Sequence, residues 1–304
     1  MAKIKGTKIH ESFGDRILNF ILGSILVLLC VIIGYPLIYV ISCSFSSSKA
    51  LEIGSVILWP VDVTLEAYRF VLNYTQVWVG LRNTVFYCFM CILFNMAFTI
   101  LVAYCMSRTK FQGRKFYNMV MFVATRFSPG LIPLFILKTN LGLYDNVWAI
   151  IIDGLFAYSH ILILRTAFQS SIPGELFDAA MIDGASHFQM LFKIAIPLAK
   201  ATLSVLILYI LVGNWNGYFT AMIYLTKSEL YPLQLVLRPI MQAASTAGTM
   251  DTSQMTSVYQ QQADQGLENV RYALILISTV PMLVAYATVQ KSFQGGIMMG
   301  SVKG

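Results

Sequence analysis

Charged residues are scarce in this chain of 304 residues: they make up 12% of it, against roughly 25% in an ordinary soluble domain. Hydrophobic residues reach 57%. The few charges are unevenly spread, and they leave several charge-free stretches of about 20 residues or more, the length at which a helix crosses the hydrocarbon core of a bilayer. A water-soluble globule, a disordered chain and a collagen-like chain are therefore excluded. The predicted fold class is an all-α polytopic membrane protein.

Cysteine and histidine are also sparse, with 5 and 3 residues respectively. Cys88 and Cys91 form a single C-x-x-C, with no second pair and no histidine nearby to complete a zinc or redox site. We interpret the cysteines as ordinary small residues of membrane helices. The histidines, His10, His160 and His187, are scattered and form no H-E-x-x-H motif. The sequence predicts no metal site and no cofactor.

Six membrane-crossing helices are predicted from the charge-free stretches. They cover about residues 17–42, 83–107, 116–137, 146–164, 201–226 and 272–290. The third contains Arg126 and two prolines, and the fourth contains Asp153, so both need polar or protein neighbours inside the bilayer. No internal repeat is visible, and residues 1–304 are predicted to form one transmembrane domain.

The distribution of Lys and Arg predicts the orientation of the chain. These residues are more frequent on the side that carries both termini, so the positive-inside rule places both termini in the cytoplasm. They form no contiguous patch, and we interpret the net charge of +7 as an orientation signal that implies no nucleic acid. Two loops, 43–79 and 227–271, are then external. In the first, Leu65, Tyr68 and Leu72 recur at helical spacing and predict a short helix on the outer surface.

A polar segment between the fourth and fifth crossings, residues 171–197, carries signals for two short helices. Pro173 suits a helix start, and Gly184 suits the left-handed residue that ends a helix. Ser186 with Gln189 three residues later forms a capping box, which starts a second helix at once. The prediction is a helix, a glycine turn and a second helix, all on the cytoplasmic side.

The first of these helices has a face that a partner can approach closely. Leu176, Ala179, Ala180 and Asp183 recur at helical spacing, and the two alanines leave room for another surface. From the residues alone, two interpretations stay open. The segment is either a docking element for a partner protein or an amphipathic connector between two crossings.

The residues of this segment also form a motif: Asp178-Ala179-Ala180-x-x-Asp183-Gly184-Ala185, followed by Ile194-x-x-Pro197-Leu198. The motif resembles the coupling loop of permease subunits of bacterial ATP-binding-cassette importers, with Asp178 where the family usually has Glu. Further similarity, to the maltose-type and polysaccharide-type permeases of the carbohydrate branch, covers nearly the whole chain. It lies in residues 130–134, 140–143, 213–216, 231–237 and 290–304.

This resemblance implies a pore-forming subunit of an ATP-driven oligosaccharide importer in the bacterial cell membrane. Its implied partners are a second homologous permease, two cytoplasmic ATP-binding subunits and an external sugar-binding protein. Loop 227–271 either contacts the sugar-binding protein or is a solvated connector. The chain lacks the G-x-x-x-x-G-K-[ST] phosphate loop, so we do not expect it to be an enzyme. The implied ATPase-coupling residues are Glu175, Asp178, Ala179, Ala180, Asp183, Gly184 and Ala185.

Polar residues in the fifth crossing are the candidates for the substrate pathway, together with Arg126 in the third. Those in the fifth are Asn214, Trp215, Asn216 and Tyr218. Amides at this depth need partners or water, so they either face a sugar or support helix packing through Gly213 and Gly217. Arg126 is either a cation that lines the pathway or the partner of an acid such as Asp153.

Other functions remain as alternatives. The coupling motif is shared among importers, so a permease for a non-sugar solute, such as an amino acid or a metal ion, stays open. A secondary transporter would show repeated halves and a chain of intramembrane ionisable groups. Asp153 and His160 share a face of the predicted fourth helix, and we interpret them as a structural pair rather than as a proton relay.

Overall fold

The computed structural model describes the backbone of residues 13–109, 111–127, 129–246 and 268–300. Within these ranges every regular element is a helix and there is no strand, which confirms the all-α class. Long apolar stretches favour this outcome, because a helix satisfies its backbone donors and acceptors within one segment where a bilayer supplies no water.

The helices are numbered in chain order over the described residues. They are α1 (Phe13–Phe45), α2 (Ser48–Glu52), α3 (Glu66–Asn73), α4 (Thr75–Ser107), α5 (Arg114–Arg126), α6 (Leu131–Asn140), α7 (Trp148–Asp153), α8 (Tyr158–Ser171), α9 (Gly174–Ile182), α10 (His187–Met190), α11 (Ile196–Leu198), α12 (Lys200–Trp215), α13 (Phe219–Tyr224), α14 (Leu233–Thr246) and α15 (Val270–Gly300). A π-helical turn, Leu191–Ala195, joins α10 to α11, and a 3₁₀ turn, Ser228–Leu230, precedes α14.

Three of these helices, α1, α4 and α15, are long and apolar enough to cross a membrane. Two bent pairs, α5 with α6 and the segment His187–Leu198 with α12, would raise the number to five within the described residues if each pair is one crossing. The axes of the second pair meet at 81°. The count of six crossings stays a prediction.

The structure interrupts three of the predicted helices. In the predicted helix 116–137, α5 ends at Arg126 and α6 begins at Leu131. The predicted helix 146–164 is interrupted at residues 154–157, which separate α7 from α8, and the predicted helix 201–226 is interrupted at residues 216–218, which separate α12 from α13. Asp153 and His160 consequently lie on different helices, so they form no pair on a common face. The ring Nδ1 of His160 instead lies 3.5 Å from Asn95 Oδ1.

The described residues form two compact units. The first contains residues 13–69 and 268–276, and its core includes Cys43, Ala50 and Val56. Asn269 donates to the Ser46 carbonyl at 2.8 Å within this unit. The predicted short helix of the first external loop is present as α3, but Leu65 before it and Leu72 within it are exposed, whereas Ala67 is fully buried.

The second unit contains residues 70–246 and 277–300, with α4 at its centre. Helices α8 and α12 both pack against α4, and this core includes Cys91, Leu164 and Leu206. The start of the predicted external loop 227–271 also packs against α4. The amide nitrogen of Asn83 donates to the carbonyls of residues 229 and 231 at 2.7 and 3.1 Å, and α14 packs against α4. This part of the loop is therefore a docked helix rather than a solvated connector.

At Gly80, α14 approaches α4 closely enough to test this docking. A Cβ atom at Gly80 would lie 3.1 Å from the Cα of Leu233, a residue that is 1% exposed. We expect Gly80→Leu to lower the free energy of unfolding by about 1–3 kcal/mol, because overpacking displaces buried groups. Thermal unfolding of the detergent-purified chain measures this. The control is Gly34→Leu in α1, where a Cβ meets nothing within 4 Å, and an equal loss in both variants would contradict the docking.

Candidate functional site

The segment that carries the coupling motif is held in shape by hydrogen bonds between neighbours in sequence. Helix α9 starts after Pro173 and ends at Gly184, whose φ of +77° favours glycine. The backbone N–H groups of Gly184 and Ala185 donate to the carbonyls of Met181 and Ala180 at 3.1 and 2.9 Å. This pair of bonds is a Schellman motif, which satisfies the carbonyls at the end of a helix.

The capping box predicted at the start of the next helix is present. The backbone N–H of Gln189 donates to the Ser186 hydroxyl at 3.3 Å, and the Gln189 side chain accepts from the Ser186 N–H at 2.8 Å. Since both caps are made by neighbouring residues, the turn between α9 and α10 keeps its form without a partner protein.

Helix α9 has an exposed face and a buried face. Most of the predicted coupling residues are exposed, and Ala180 and Ala185 are half-buried; the exposed ones are Glu175, Asp178, Ala179, Asp183 and Gly184. Phe177 on the other face is buried, and its ring packs edge-on against Tyr104 of α4 with 6.3 Å between centroids. No local pattern in the sequence predicts this contact, because it joins residues far apart in the chain.

A second group of polar residues lies at the interruptions of residues 154–157 and 216–218. A cavity of about 320 Å³ is bordered by both interruptions, by Asp153 at the end of α7 and by Tyr87 of α4. Three of the predicted pathway residues line it: Asn214, Asn216 and Tyr218. The interruption after α7 is stabilised by Asn95, which is 2% exposed and donates to the Gly154 carbonyl.

Each of the two amides at this cavity uses one of its two N–H donors within the chain. Asn214 donates to the Ile210 carbonyl at 2.8 Å and Asn216 to the Val212 carbonyl at 3.1 Å, each one turn back in α12. The oxygen of each amide can accept from a ligand, and its second N–H can donate to one. A Cβ built at Gly213 meets nothing within 4 Å, so no described part of this chain packs tightly against Gly213.

Asp153 is paired with Lys138 at this cavity. The Lys138 ammonium lies 2.6 Å from one carboxylate oxygen, and Thr220 donates to the other at 2.9 Å. The Lys138 side chain is 10% exposed and that of Asp153 46%. The ammonium also lies 4.4 Å from the centre of the Tyr224 ring. The pair therefore links α6, α7 and α13, and sequence reasoning missed it because Lys138 lies on a separate helix.

Two predicted pathway residues lie elsewhere. The indole N–H of Trp215 donates to the Ser278 carbonyl at 2.9 Å, and Trp215 is buried and does not line the cavity. Arg126 ends α5, where its guanidinium lies 5.1 Å from the centre of the Phe122 ring. Of the two roles that the sequence left open for Arg126, pairing with Asp153 is not the one seen, since that carboxylate pairs with Lys138.

Comparisons with known proteins identify the family of this chain. Residues 96–297 match the family described as "Binding-protein-dependent transport system inner membrane component". The chain is 31% identical to the polygalacturonan/rhamnogalacturonan transport system permease protein YtcP of Bacillus subtilis over 95% of this chain and 99% of that protein. It is 28% identical to the galactooligosaccharides transport system permease protein GanQ of the same organism, over 92% and 94% of the two chains.

A solved structure extends the likeness to the fold. It is the crystal structure of a bacterial ABC transporter involved in the import of the acidic polysaccharide alginate. The match has a TM-score of 0.83 and 31% identity, and it covers 94% of this chain and 100% of that one.

The chain is thus a membrane-embedded transport component with helices long enough to cross a bilayer. It belongs to the family of inner membrane components of binding-protein-dependent transport systems, and is a membrane permease of a carbohydrate ABC importer. In this family separate subunits hydrolyse ATP.

The two partners of the Asp153–Lys138 ion pair should differ in how much stability the protein loses when each is replaced. We expect Asp153→Asn to cost about 3 kcal/mol, because it leaves the buried ammonium without a counter-charge. Lys138→Met costs less, since the half-exposed carboxylate can recover water. Thermal unfolding of both variants and of the double variant, whose coupling energy isolates the pair, measures this. Equal costs with zero coupling would show that the pair contributes nothing.

Proposed function

We propose that this chain is a pore-forming subunit of an oligosaccharide importer and that it couples ATP hydrolysis by separate subunits to alternating access. Residues 171–197 form the proposed coupling loop. The observation that carries the proposal is the two-faced helix α9, which exposes Glu175, Ala179 and Asp183 and buries Phe177 against the end of α4.

Movement of the ATPase would reach the membrane through two connections. On one side, Phe177 transfers a displacement of α9 to Tyr104, which lies in the last turns of α4. On the other, the segment His187–Leu198 meets α12 at a bend of 81°, so a rotation of the loop changes the direction of α12. Such coupling requires that contacts of α9 with the ATPase differ between the nucleotide states.

The cavity of about 320 Å³ is the proposed sugar-facing part of the pathway. Amide oxygens of Asn214 and Asn216 accept hydrogen bonds from sugar hydroxyls, and the Tyr218 ring, 38% exposed, offers an apolar face to a sugar ring. The open space at Gly213 supports this role over packing through G-x-x-x-G. The names of the similar proteins mention polygalacturonan, galactooligosaccharides and alginate, which supports an oligosaccharide as the substrate over another solute.

The proposed partners are a second homologous permease, two ATP-binding subunits and an external sugar-binding protein. The tagged chain, extracted from its native membrane in mild detergent, should co-purify with all of them in a mass-spectrometric analysis. We expect Ala179→Arg to lose the ATP-binding subunits and transport while it keeps the second permease, because the charge lies on the exposed face of α9.

Ser170→Arg is the matched control, since it adds the same charge at an exposed position of α8 just before the loop. It should keep the whole assembly. Co-purification of the ATP-binding subunits with both variants would refute the role of α9, and recovery of the wild-type chain alone would refute the importer.

The sugar-facing role of the amides makes a separate prediction. Asn214→Ala and Asn216→Ala should each raise the transport KM about 3–10-fold, the effect of one lost hydrogen bond, for the oligosaccharide that the co-purified binding protein selects. Packing through G-x-x-x-G would instead leave KM unchanged in both and make Gly213→Ala destabilising. Uptake assays and thermal unfolding of the three variants distinguish the two interpretations.

A further inference from the structure

A cavity of about 830 Å³ lies where α4 ends, bordered also by residues 108, 109, 111 and 112, the end of α8, α9 and α10. Its volume is in the range of small-molecule sites. Most of its wall is aromatic or aliphatic, including Leu101, Tyr104, Phe111, Phe168, Phe177 and Phe188. The transport pathway proposed above does not use it.

One polar atom in this wall lacks a partner. The hydroxyl of Tyr104 is buried and makes no hydrogen bond to any described residue, and the residue as a whole is 6% exposed. Buried hydroxyls are bonded in most proteins, because an unpaired one loses its interaction with water and gains nothing. A bound molecule with an acceptor group at this end of the cavity would satisfy it.

A positive charge lies beside the rings of Phe177 and Tyr104. The guanidinium carbon of Arg108 is 3.6 Å from the centre of the Phe177 ring and 5.8 Å from that of Tyr104, and Arg108 lines the cavity. Stacking on the rings leaves the N–H groups at the edge of the guanidinium plane able to donate. Asp178 and His187 border the cavity as well, and Asp178 has an interaction of its own.

An apolar interior with a cation and a hydroxyl donor in its wall matches an anionic amphiphile. Helix α4 is long and apolar enough to cross a membrane, so its end would lie near the headgroup region of a bilayer. We propose that the cavity binds an anionic phospholipid, with an acyl chain among the aromatic rings and the phosphate at Arg108 and the Tyr104 hydroxyl. The lipid would brace α9 against α4. This inference rests on the membrane location and is independent of the coupling role of α9.

The test uses the full-length chain in mild detergent, with phosphatidylglycerol or phosphatidylcholine of identical acyl chains added, and native mass spectrometry to count the lipids retained. We expect the chain to retain phosphatidylglycerol about 10-fold better, the effect of a charge-assisted hydrogen bond. Arg108→Gln should remove this preference. Tyr104→Phe, which keeps the ring, should weaken retention of phosphatidylglycerol about 3–10-fold.

Lys115→Gln is the matched control, because Lys115 is an exposed cation in the first turn of α5 and does not line the cavity. It should retain the lipid as the wild type does. Equal retention of both lipids, an equal loss in Lys115→Gln and Arg108→Gln, or displacement of the lipid by excess inorganic phosphate would overturn the proposal. If Arg108→Gln does not fold, Tyr104→Phe decides, and unchanged retention in that variant counts against the site.

Discussion

Satisfaction of backbone hydrogen bonds where water is absent is the constraint on which this structure depends. Non-helical backbone at membrane depth is tolerated where it is buried in protein or borders a cavity. Both interruptions, at residues 154–157 and 216–218, border the same cavity of about 320 Å³. Asn95, buried in α4, bonds the carbonyl that the first interruption leaves free. The cavity and the broken helices therefore lie together in the fold.

The ion pair follows from the same constraint. A buried ammonium is unfavourable without a counter-charge, and Lys138 has one because the end of α7 brings Asp153 within 2.6 Å. The second carboxylate oxygen accepts from Thr220, so it fixes the start of α13 beside the cavity. A helix continuous through residues 154–157 would carry Asp153 on a regular face and would not leave this space open. The charge pair thus connects α6 to the end of α7, where the interruption begins.

How much the sequence predicts depends on whether a feature is local. Apolar stretches predicted α1, α4 and α15. Local capping residues predicted the helix end at Gly184 and the helix start at Ser186, because neighbours in sequence make these features. The breaks, the Lys138 partner of Asp153 and the burial of Trp215 arise from residues far apart in the chain, which no local pattern contains. The amides near the cavity were identified because polar residues in an apolar stretch are conspicuous, but their bonding was not.

Helix α9 has nine residues, too few for a stable isolated helix, so its form must come from its ends and from tertiary packing. The C-terminal end of α9 is capped locally at Gly184. Phe177 is its buried side chain, and Ala180 and Met181 also pack, partly buried, against the core. In the proposed coupling, a force on the exposed face of α9 would pass through Phe177 to Tyr104 and Arg108 at the end of α4. The molecule that fills the adjacent cavity would determine how firmly Phe177 is held against Tyr104 and Arg108. A void beside Phe177 would absorb the displacement that the proposed coupling needs to transmit.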